Sequence, residues 1–441
     1  MNEVVKSFYE LQPQPVAIFG AGKSGQGVKN LLDKLGWEYQ LFDEQERAFE
    51  MADARNCSFV VISPGFLPNH SWIQKAENLG KKILSEYEFG GLFLDEQKVV
   101  AVTGTNGKTS VTKLIEHVAQ KGQIPVVAGG NLGVPVTQLI ANGIDKRTTI
   151  ILETSSFQSR GLSYFRPDEV IWTNFAPDHL NYHGSIKEYF LSKFQLLKVN
   201  GFRNCMIGRS VLDFAKTQNI SMPPSVRVID SLSINDIKLP KNHYLCSVPQ
   251  RENISFVREW SMNQGMGSGE FFKIAESYSG EKYRLQKVTQ RENGVTFWND
   301  SKATNLASVV AACRSFSDKL FWIGGGQDKG EEIDSFTRFL KPYVEKAFLF
   351  GETGLSLHRS FAQEGCFSIL CESLKDAVFQ AFRLSNKSIN ILLSPGFASH
   401  DLYKSYAERG KAFERIVLDL KSNREKDTSV YSQPFALQTG R

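Results

Sequence analysis

The sequence predicts an α/β fold built from three successive segments, roughly residues 1–95, 96–281 and 282–441. Three observations carry this. Short β-branched runs alternate with helical patterns, which implies βαβ units and parallel sheets. The alternation restarts at "KVVAVTG" and again after a mixed region near 240–290. Glycine-rich turns follow several of the strand-like runs. A chain of 441 residues also has room for two to four domains at ~100–200 residues each.

In the first segment "VAIF" (16–19) precedes the helical "GVKNLLDKLG", and "YQLFD", "FVVIS" and "KKILS" follow. Gly20, Gly22 and Gly25 form G-x-G-x-x-G after the first strand, at the opening of the helix. Asp43 ends the next strand, 18 residues past Gly25. Glycines at these places let backbone approach a diphosphate, and the helix N-terminus attracts its charge. The pattern points to a bound nucleotide diphosphate. Its most obvious form is NAD in a dehydrogenase, and the plain alternative is a tight turn without a ligand. "VISPGF" (61–66) closes the third strand with a further glycine turn.

The second segment opens with "KVVAVTGTNGKTSVTKLIEHV" (98–118). Gly104-Thr105-Asn106-Gly107-Lys108-Thr109-Ser110 is two residues shorter than a Walker A loop. The mechanics survive: inward-pointing N–H groups, a cation on Lys108, and a hydroxyl on Thr109 or Ser110 for Mg²⁺. Val111, Leu114, Ile115 and Val118 form an i, i+3, i+4, i+7 stripe, which reads as core. Hard Mg²⁺ takes oxygen ligands. Glu153, ending the strand "TIILETS", therefore stands where an acid would face a ligand crevice. His179 follows the strand in "EVIWTNF" in the same manner. Residues 220–290 are the least readable part of the chain.

The third segment contains the strand runs "GVTFWND", "KLFWIGGG", "KAFLFGE" and "INILLSPG". "WNDSKATN" groups Asp300, Lys302, Thr304 and Asn305. "IGGGQDKG" brings Lys329, and "LLSPGFASHDLYKSYAERG" brings Ser394, Ser399 and Lys404. Hydroxyls and cations on three strand-end loops suit a small anionic substrate. The tail from 421 is polar and is expected to lie outside the core.

Composition excludes several classes. The balance of 52 basic and 47 acidic residues, net +5, argues against nucleic acid or a membrane surface as a partner. No stretch approaches the ~18 apolar residues of a membrane span. The start "MNEVVKSFYELQPQP" has no signal-peptide pattern. None of the six cysteines forms a C-x-x-C pair, so zinc and redox motifs are not indicated and a reducing cytoplasm is expected.

"TGTNGKTS", "GGNLGVP", "ETSSFQ", "DHLNYHGS", "NDSKATN", "GGGQDKG" and "SPGFASHDLYKSYAERG" occur in order over nearly the whole chain. Together they resemble the Mur ligases, most specifically the branch that adds D-glutamate to UDP-N-acetylmuramoyl-L-alanine. The resemblance implies a UDP-substrate-binding Rossmann-like domain at 1–95, a central P-loop ATPase-type domain at 96–281, and a Rossmann-like amino-acid-binding domain at 282–441. It turns the first glycine cluster from an NAD site into a uridine diphosphate site, with Gly22, Ser24 and Gly25 at the diphosphate and Asp43 near the uracil. Asn131 in "GGNLG" would also touch that substrate.

Gly104, Thr105, Asn106, Gly107 and Lys108 would hold the ATP phosphates. Thr109 or Ser110 and Glu153 would hold one Mg²⁺ and His179 would help hold a second. Lys193 in "YFLSKFQL" matches a lysine that the family carbamylates, next to the metal. Asn253, Arg284 and Asp300 match contacts to the nucleotide, with Asp300 at the ribose and Lys302 by the transferring phosphate. Thr304, Lys329, Ser399 and Tyr406 match the D-glutamate pocket. The sequence departs from the family pattern at Glu252, Phe256, Tyr283 and His400, and at Tyr406, where phenylalanine is usual.

The implied reaction has ATP phosphorylate the L-alanine carboxylate, after which the amine of D-glutamate displaces phosphate. A monomer is expected. Another amino-acid-adding ligase, such as folylpolyglutamate synthase, is the nearest alternative, but it has no use for the N-terminal UDP-type glycine cluster. A non-catalytic nucleotide-binding regulator is the alternative from another class; it would bind nucleotide without releasing phosphate.

Overall fold

Each run of alternation becomes its own sheet. A computed structural model describes residues 14–420, apart from 95, 132, 242, 248–249, 292, 329–331 and 386–387 and the side chains of 181 and 307. The chain divides into two compact units, Met1–Gly280 and Glu281–Arg441.

The first unit holds two parallel sheets. The smaller has strands β1 (Val16–Phe19), β2 (Tyr39–Phe42), β3 (Val60–Ile62) and β4 (Ile83–Ser85) in the order β2-β1-β3-β4. Helix α1 (Lys23–Leu35) buries Val28, Leu31 and Leu32 against this sheet. It ends at Gly36, whose φ of 70° lets the chain reverse where a side chain would be strained. Helix α2 (Glu86–Gly91) follows β4 directly, capped by Ser85 Oγ on the N–H of Glu88.

The larger sheet has β5 (Val99–Thr103), β6 (Val126–Gly130), β7 (Thr149–Glu153), β8 (Glu169–Trp172), β9 (Cys205–Gly208) and β10 (Arg227–Ile229). Their order is β10-β9-β8-β5-β7-β6, all parallel. Helices α3 (Lys108–Lys121), α4 (Val136–Asn142), α5 (Ile186–Asn200) and α6 (Gln250–Asn263) flank it. The stripe Val111, Leu114, Ile115 and Val118 on α3 is fully buried, each side chain contributing about 1.5–3 kcal/mol of burial. Strand β5 lies between β7 and β8. The chain leaves it for β6 on one side and later returns to β8 on the other, so the crevice at its carboxyl end is a topological switch point.

The second unit has one sheet, β11 (Gln286–Gln290), β12 (Thr296–Asn299), β13 (Leu320–Gly324), β14 (Val344–Leu349), β15 (Ser368–Leu370) and β16 (Asn390–Leu393). Its order is β11-β12-β16-β13-β14-β15. Only β11 runs antiparallel, against β12. Helix α7 (Tyr406–Asp419) packs Phe413 and Val417 into this sheet's core. Among the described residues no helix is long and apolar enough to cross a membrane.

Candidate active site

The loop from Gly104 to Lys108 leaves β5 at the switch point and is rigidly braced. Gly104 has φ 153° and Gly107 φ 82°. A Cβ on Gly104 would sit 2.0 Å from Thr173 Oγ1, and one on Gly107 would sit 2.4 Å from Asn253 Oδ1. Only glycine fits either place, and Asn253 stands against the loop. From the end of β8, Thr173 Oγ1 donates to the Asn106 carbonyl (2.6 Å) and Asn174 Oδ1 accepts the Asn106 N–H (2.9 Å). Thr105 Oγ1 donates to the Ala176 carbonyl (3.1 Å) and lies 3.2 Å from the Tyr189 hydroxyl. Thr173, Asn174 and Tyr189 were not evident in the sequence, although "WTNF" directly after a strand was a signal.

Two lysines converge on this loop. Lys108 Nζ donates to the carbonyls of Gly104 (2.8 Å) and Thr105 (2.9 Å). Lys193, on α5 and 1% exposed, donates to the same Gly104 carbonyl (2.9 Å) and to Thr103 Oγ1 (3.3 Å). Burial, then repulsion from Lys108, holds the Lys193 amine well below the usual lysine range, against the pull of Asp178 and Glu153. A buried amine that deprotonates readily is nucleophilic.

Glu153 ends β7. Its Oε1 accepts Asn131 Nδ2 (2.8 Å) and its carbonyl accepts the Asn131 N–H (2.8 Å). Glu153 Oε2 and Ser110 Oγ are buried and make no hydrogen bond. Such orphaned oxygens fit a hard cation. Thr109 is buried beside Ser110. Among the described residues no three His, Cys, Asp or Glu side chains gather as a ligand set. That donor set matches an ion held largely by hydroxyls, one carboxylate, water and phosphate. His179 has φ 53° and a half-exposed ring, with Nε2 3.6 Å from Asp178 Oδ2. His183, four residues on, is buried between Ser156 Oγ (3.0 Å) and Ser192 Oγ (3.3 Å). Burial first, then nearby Arg160, His179 and Lys193, pushes it down to about 4, so it is neutral.

At the first glycine cluster, Gly20 has φ 96° and a Cβ on Gly25 would sit 1.8 Å from the Gly20 carbonyl. Gly22 and Ser24 open α1, and space around Gly22 is clear. Asp43 Oδ2 accepts the Ala21 N–H (2.9 Å) and Oδ1 accepts the Gln45 N–H (3.1 Å), bonds that hold its carboxyl below the usual range. The acid therefore ties the glycine turn to the end of β2.

In the second unit, Arg409 is fully buried on α7. Its guanidinium donates to Ser301 Oγ (3.1 Å), the Ser301 carbonyl (3.0 Å), and the carbonyls of Phe397 (3.1 Å) and Ala398 (3.3 Å). Burial lowers it to about 10, so the charge remains at neutral pH. Arg409 thus joins the loop bearing Lys302 and Thr304 to the loop bearing Ser399. Sequence reasoning missed it. The Lys302 ammonium lies 5.5 Å over the Tyr406 ring. Lys329 lies outside the described residues. Asp300 is turned inward: Oδ1 accepts the Leu285 N–H (3.0 Å) and Oδ2 the Ser394 hydroxyl (2.8 Å). Of the departures from the family pattern, Phe256 packs into the core beside α3. Tyr283 has φ 64°, and its ring lies 2.4 Å from where a Cβ on Gly410 would be.

Burial raises two carboxyls, Glu86 and Asp300, to about 7. A raised value means the folded chain holds a proton that the unfolded chain releases near pH 4. That stabilisation is complete below about pH 4 and is lost as pH climbs through about 7, on the order of 3–4 kcal/mol for each group. Urea midpoints of wild type should therefore fall from pH 5 to pH 8 relative to Glu86→Gln and Asp300→Asn. A flat difference would contradict the assignment.

Residues 102–217 match the Mur ligase middle domain. A curated relative from Protochlamydia amoebophila, named UDP-N-acetylmuramoylalanine–D-glutamate ligase, is 30% identical, over 91% of this chain and 97% of its own. The chain belongs to the UDP-N-acetylmuramoylalanine–D-glutamate ligase family. A relative of the same name from Caldicellulosiruptor saccharolyticus is 29% identical, over 93% of this chain and all of its own. A MurF ligase from Thermotoga maritima, solved in complex with ADP, shares the fold. Its TM-score is 0.55 at 15% identity, covering 83% of this chain and 90% of that one. The three-domain Mur ligase fold expected from the motifs is therefore the fold of this chain.

Proposed function

We propose that this chain is the ATP-dependent ligase that joins D-glutamate to UDP-N-acetylmuramoyl-L-alanine in the synthesis of peptidoglycan precursors. The observation that carries the reading is the convergence of Lys108, Lys193 and two orphaned oxygens, on Ser110 and Glu153, at a glycine loop fit for phosphates. The family match over 91% of the chain supports the amino acid and the acceptor. Residues 1–95 are assigned the UDP-sugar, through Gly22, Ser24, Gly25 and Asn131, with Asp43 closing the turn near the uracil. Residues 96–281 are assigned ATP, with Asn253 at the nucleotide. Residues 282–441 are assigned the amino acid, through Thr304, Lys329, Ser399 and Tyr406. Lys302, Arg284 and Asp300 keep the roles the resemblance gives them. The enzyme works as a monomer in the cytoplasm.

A carboxylate resists amines, because its charge repels them and oxide is a poor leaving group. One carboxylate oxygen of the L-alanine attacks the γ-phosphorus of ATP, and ADP leaves. The amine of D-glutamate then adds to the acyl carbon, loses a proton, and inorganic phosphate leaves with the carboxylate oxygen. Lys108 neutralises charge on the phosphoryl oxygens. Thr109, Ser110 and Glu153 would hold one Mg²⁺, and His179 with Lys193 a second. Bound there, the ions would draw charge from the phosphoryl oxygens. Lys193 reaches the anionic form by adding its neutral amine to CO₂, giving a carbamate and a proton. Holding reactants together can supply ~7–11 kcal/mol of the barrier, which suits a chain with three substrate segments.

Phosphate release from ATP, with UDP-N-acetylmuramoyl-L-alanine present and each candidate amino acid added in turn, tests the reading. Release with D-glutamate alone is expected. Release with another amino acid, or none with any, would refute it.

A further inference from the structure

We infer that Tyr87 is a positioning residue for Glu153, working with its neighbour Glu86 to fix that carboxylate from two sides. The inference rests on the reading of Glu153 as a metal ligand. The run Ser85-Glu86-Tyr87-Glu88 lies at the end of the smaller sheet, yet the side chains of Glu86, Tyr87 and Glu88 bond to residues 137–164, which belong to the larger sheet and its connections. Glu86, Tyr87 and Glu88 are 1%, 0% and 4% exposed, although two of them are acids. Successive helical residues point about 100° apart, so burial of all three means that α2 is enclosed around its circumference.

Each of the three reaches a different segment. Glu86 Oε1 accepts the N–H (2.8 Å) and hydroxyl (2.7 Å) of Thr137, in the first turn of α4. The Tyr87 hydroxyl meets Thr154 Oγ1 at 2.6 Å. Glu88 Oε1 accepts the N–H groups of Ser163 (2.5 Å) and Tyr164 (2.7 Å). Glycines allow the approach: a Cβ on Gly90 would lie 2.9 Å from Thr137 N, and one on Gly27 2.7 Å from Thr137 Oγ1.

Two of these ties reach Glu153. Thr154 is the next residue, with its N–H on the Val102 carbonyl. Its hydroxyl hydrogen goes to the Leu152 carbonyl (3.1 Å), so Tyr87 is the donor to Thr154 Oγ1. On the other side, the loop entering α4 carries Asn131, which holds both the Glu153 carbonyl and Oε1. Glu86 pins the helix that ends this loop. The carboxylate is thus oriented through Thr154 by Tyr87 and through Asn131 by Glu86, while Oε2 is left for a cation. Catalytic geometry depends on support of this kind behind the ligand itself.

Three variants of the full chain test this: Tyr87→Phe, Thr154→Val and the conservative Thr154→Ser. The direct readout is Mn²⁺ affinity of the protein with a non-hydrolysable ATP analogue, from the free-Mn²⁺ electron paramagnetic resonance signal. Loss of one buried hydrogen bond should weaken Mn²⁺ binding about 5-fold in Tyr87→Phe and in Thr154→Val. Thr154→Ser should stay near wild type, and the double variant Tyr87→Phe/Thr154→Val should be no weaker than either single one. The Mg²⁺ needed for half-maximal phosphate release should rise in parallel, with the KM for the UDP-sugar unchanged. Unchanged Mn²⁺ affinity in a cooperatively melting Tyr87→Phe protein would overturn the inference. Wild type that releases no phosphate would instead refute the functional reading, and the Mn²⁺ titration would still decide the role of Tyr87.

Discussion

Replacing Lys108 with alanine is expected to stop ATP turnover while leaving the UDP-sugar bound nearly as tightly as in wild type. The Lys108 ammonium lies on the Gly104 and Thr105 carbonyls, in the loop assigned to phosphate. The glycine turn assigned to the UDP diphosphate opens a different helix of a different sheet. Removing a charge that faces developing negative charge in a water-poor site costs on the order of 10²–10³-fold in kcat or more. Calorimetry of UDP-sugar binding beside a phosphate-release assay separates the two effects. Equal loss of both would count against separate sites.

Lys193→Ala should be as severe, at least about 10²-fold in rate, but for a different reason and with a different remedy. A buried cation next to Lys108 is unfavourable, which holds the Lys193 amine well below the usual lysine range and eases its deprotonation. If its working form is the carbamate, the alanine variant lacks an anion and has space where one belongs. Acetate or formate should then restore part of the rate, saturating with concentration, while leaving wild type unaffected. No rescue by any small carboxylic acid would remove the carbamate from the account. Lys193→Arg, which keeps a cation and cannot react with CO₂, should be as inactive as alanine.

The strands that carry substrate turns were legible because each is a short apolar run ended by glycine, serine or an acid. All four runs of the first segment became strands, and "TFWN", "LFWIG" and "NILL" fell where the alternation put them. β6, β9 and β11 were not singled out, and neither were β10 and β15; the last two show why. They are three-residue edge strands with partly exposed side chains, and so short a run has no period to read. The region 220–290 holds the short strands β10 and β11 near its two ends and helices α6 and Ser268–Ala275 between them, so no single period runs through it.

The glycine loop and its lysines were legible for a different reason, since a phosphate cradle needs particular residues in a fixed local spacing. Residues that act across long sequence separations left no such trace. Tyr87 and Thr154 are 67 positions apart, and Arg409 and Ser301 are 108 apart. Before folding, each reads as an ordinary core or surface side chain. Asp43 shows the same limit from the other side: its position at a strand end was clear, but its two bonds to backbone N–H groups were not.

The central claim is that the acid is activated by phosphorylation before the amine attacks. UDP-N-acetylmuramoyl-L-alanine labelled with ¹⁸O in the alanine carboxylate, turned over with ATP and D-glutamate, tests this by mass analysis of the inorganic phosphate. The account predicts one labelled oxygen in each phosphate released. Phosphate free of label would contradict it.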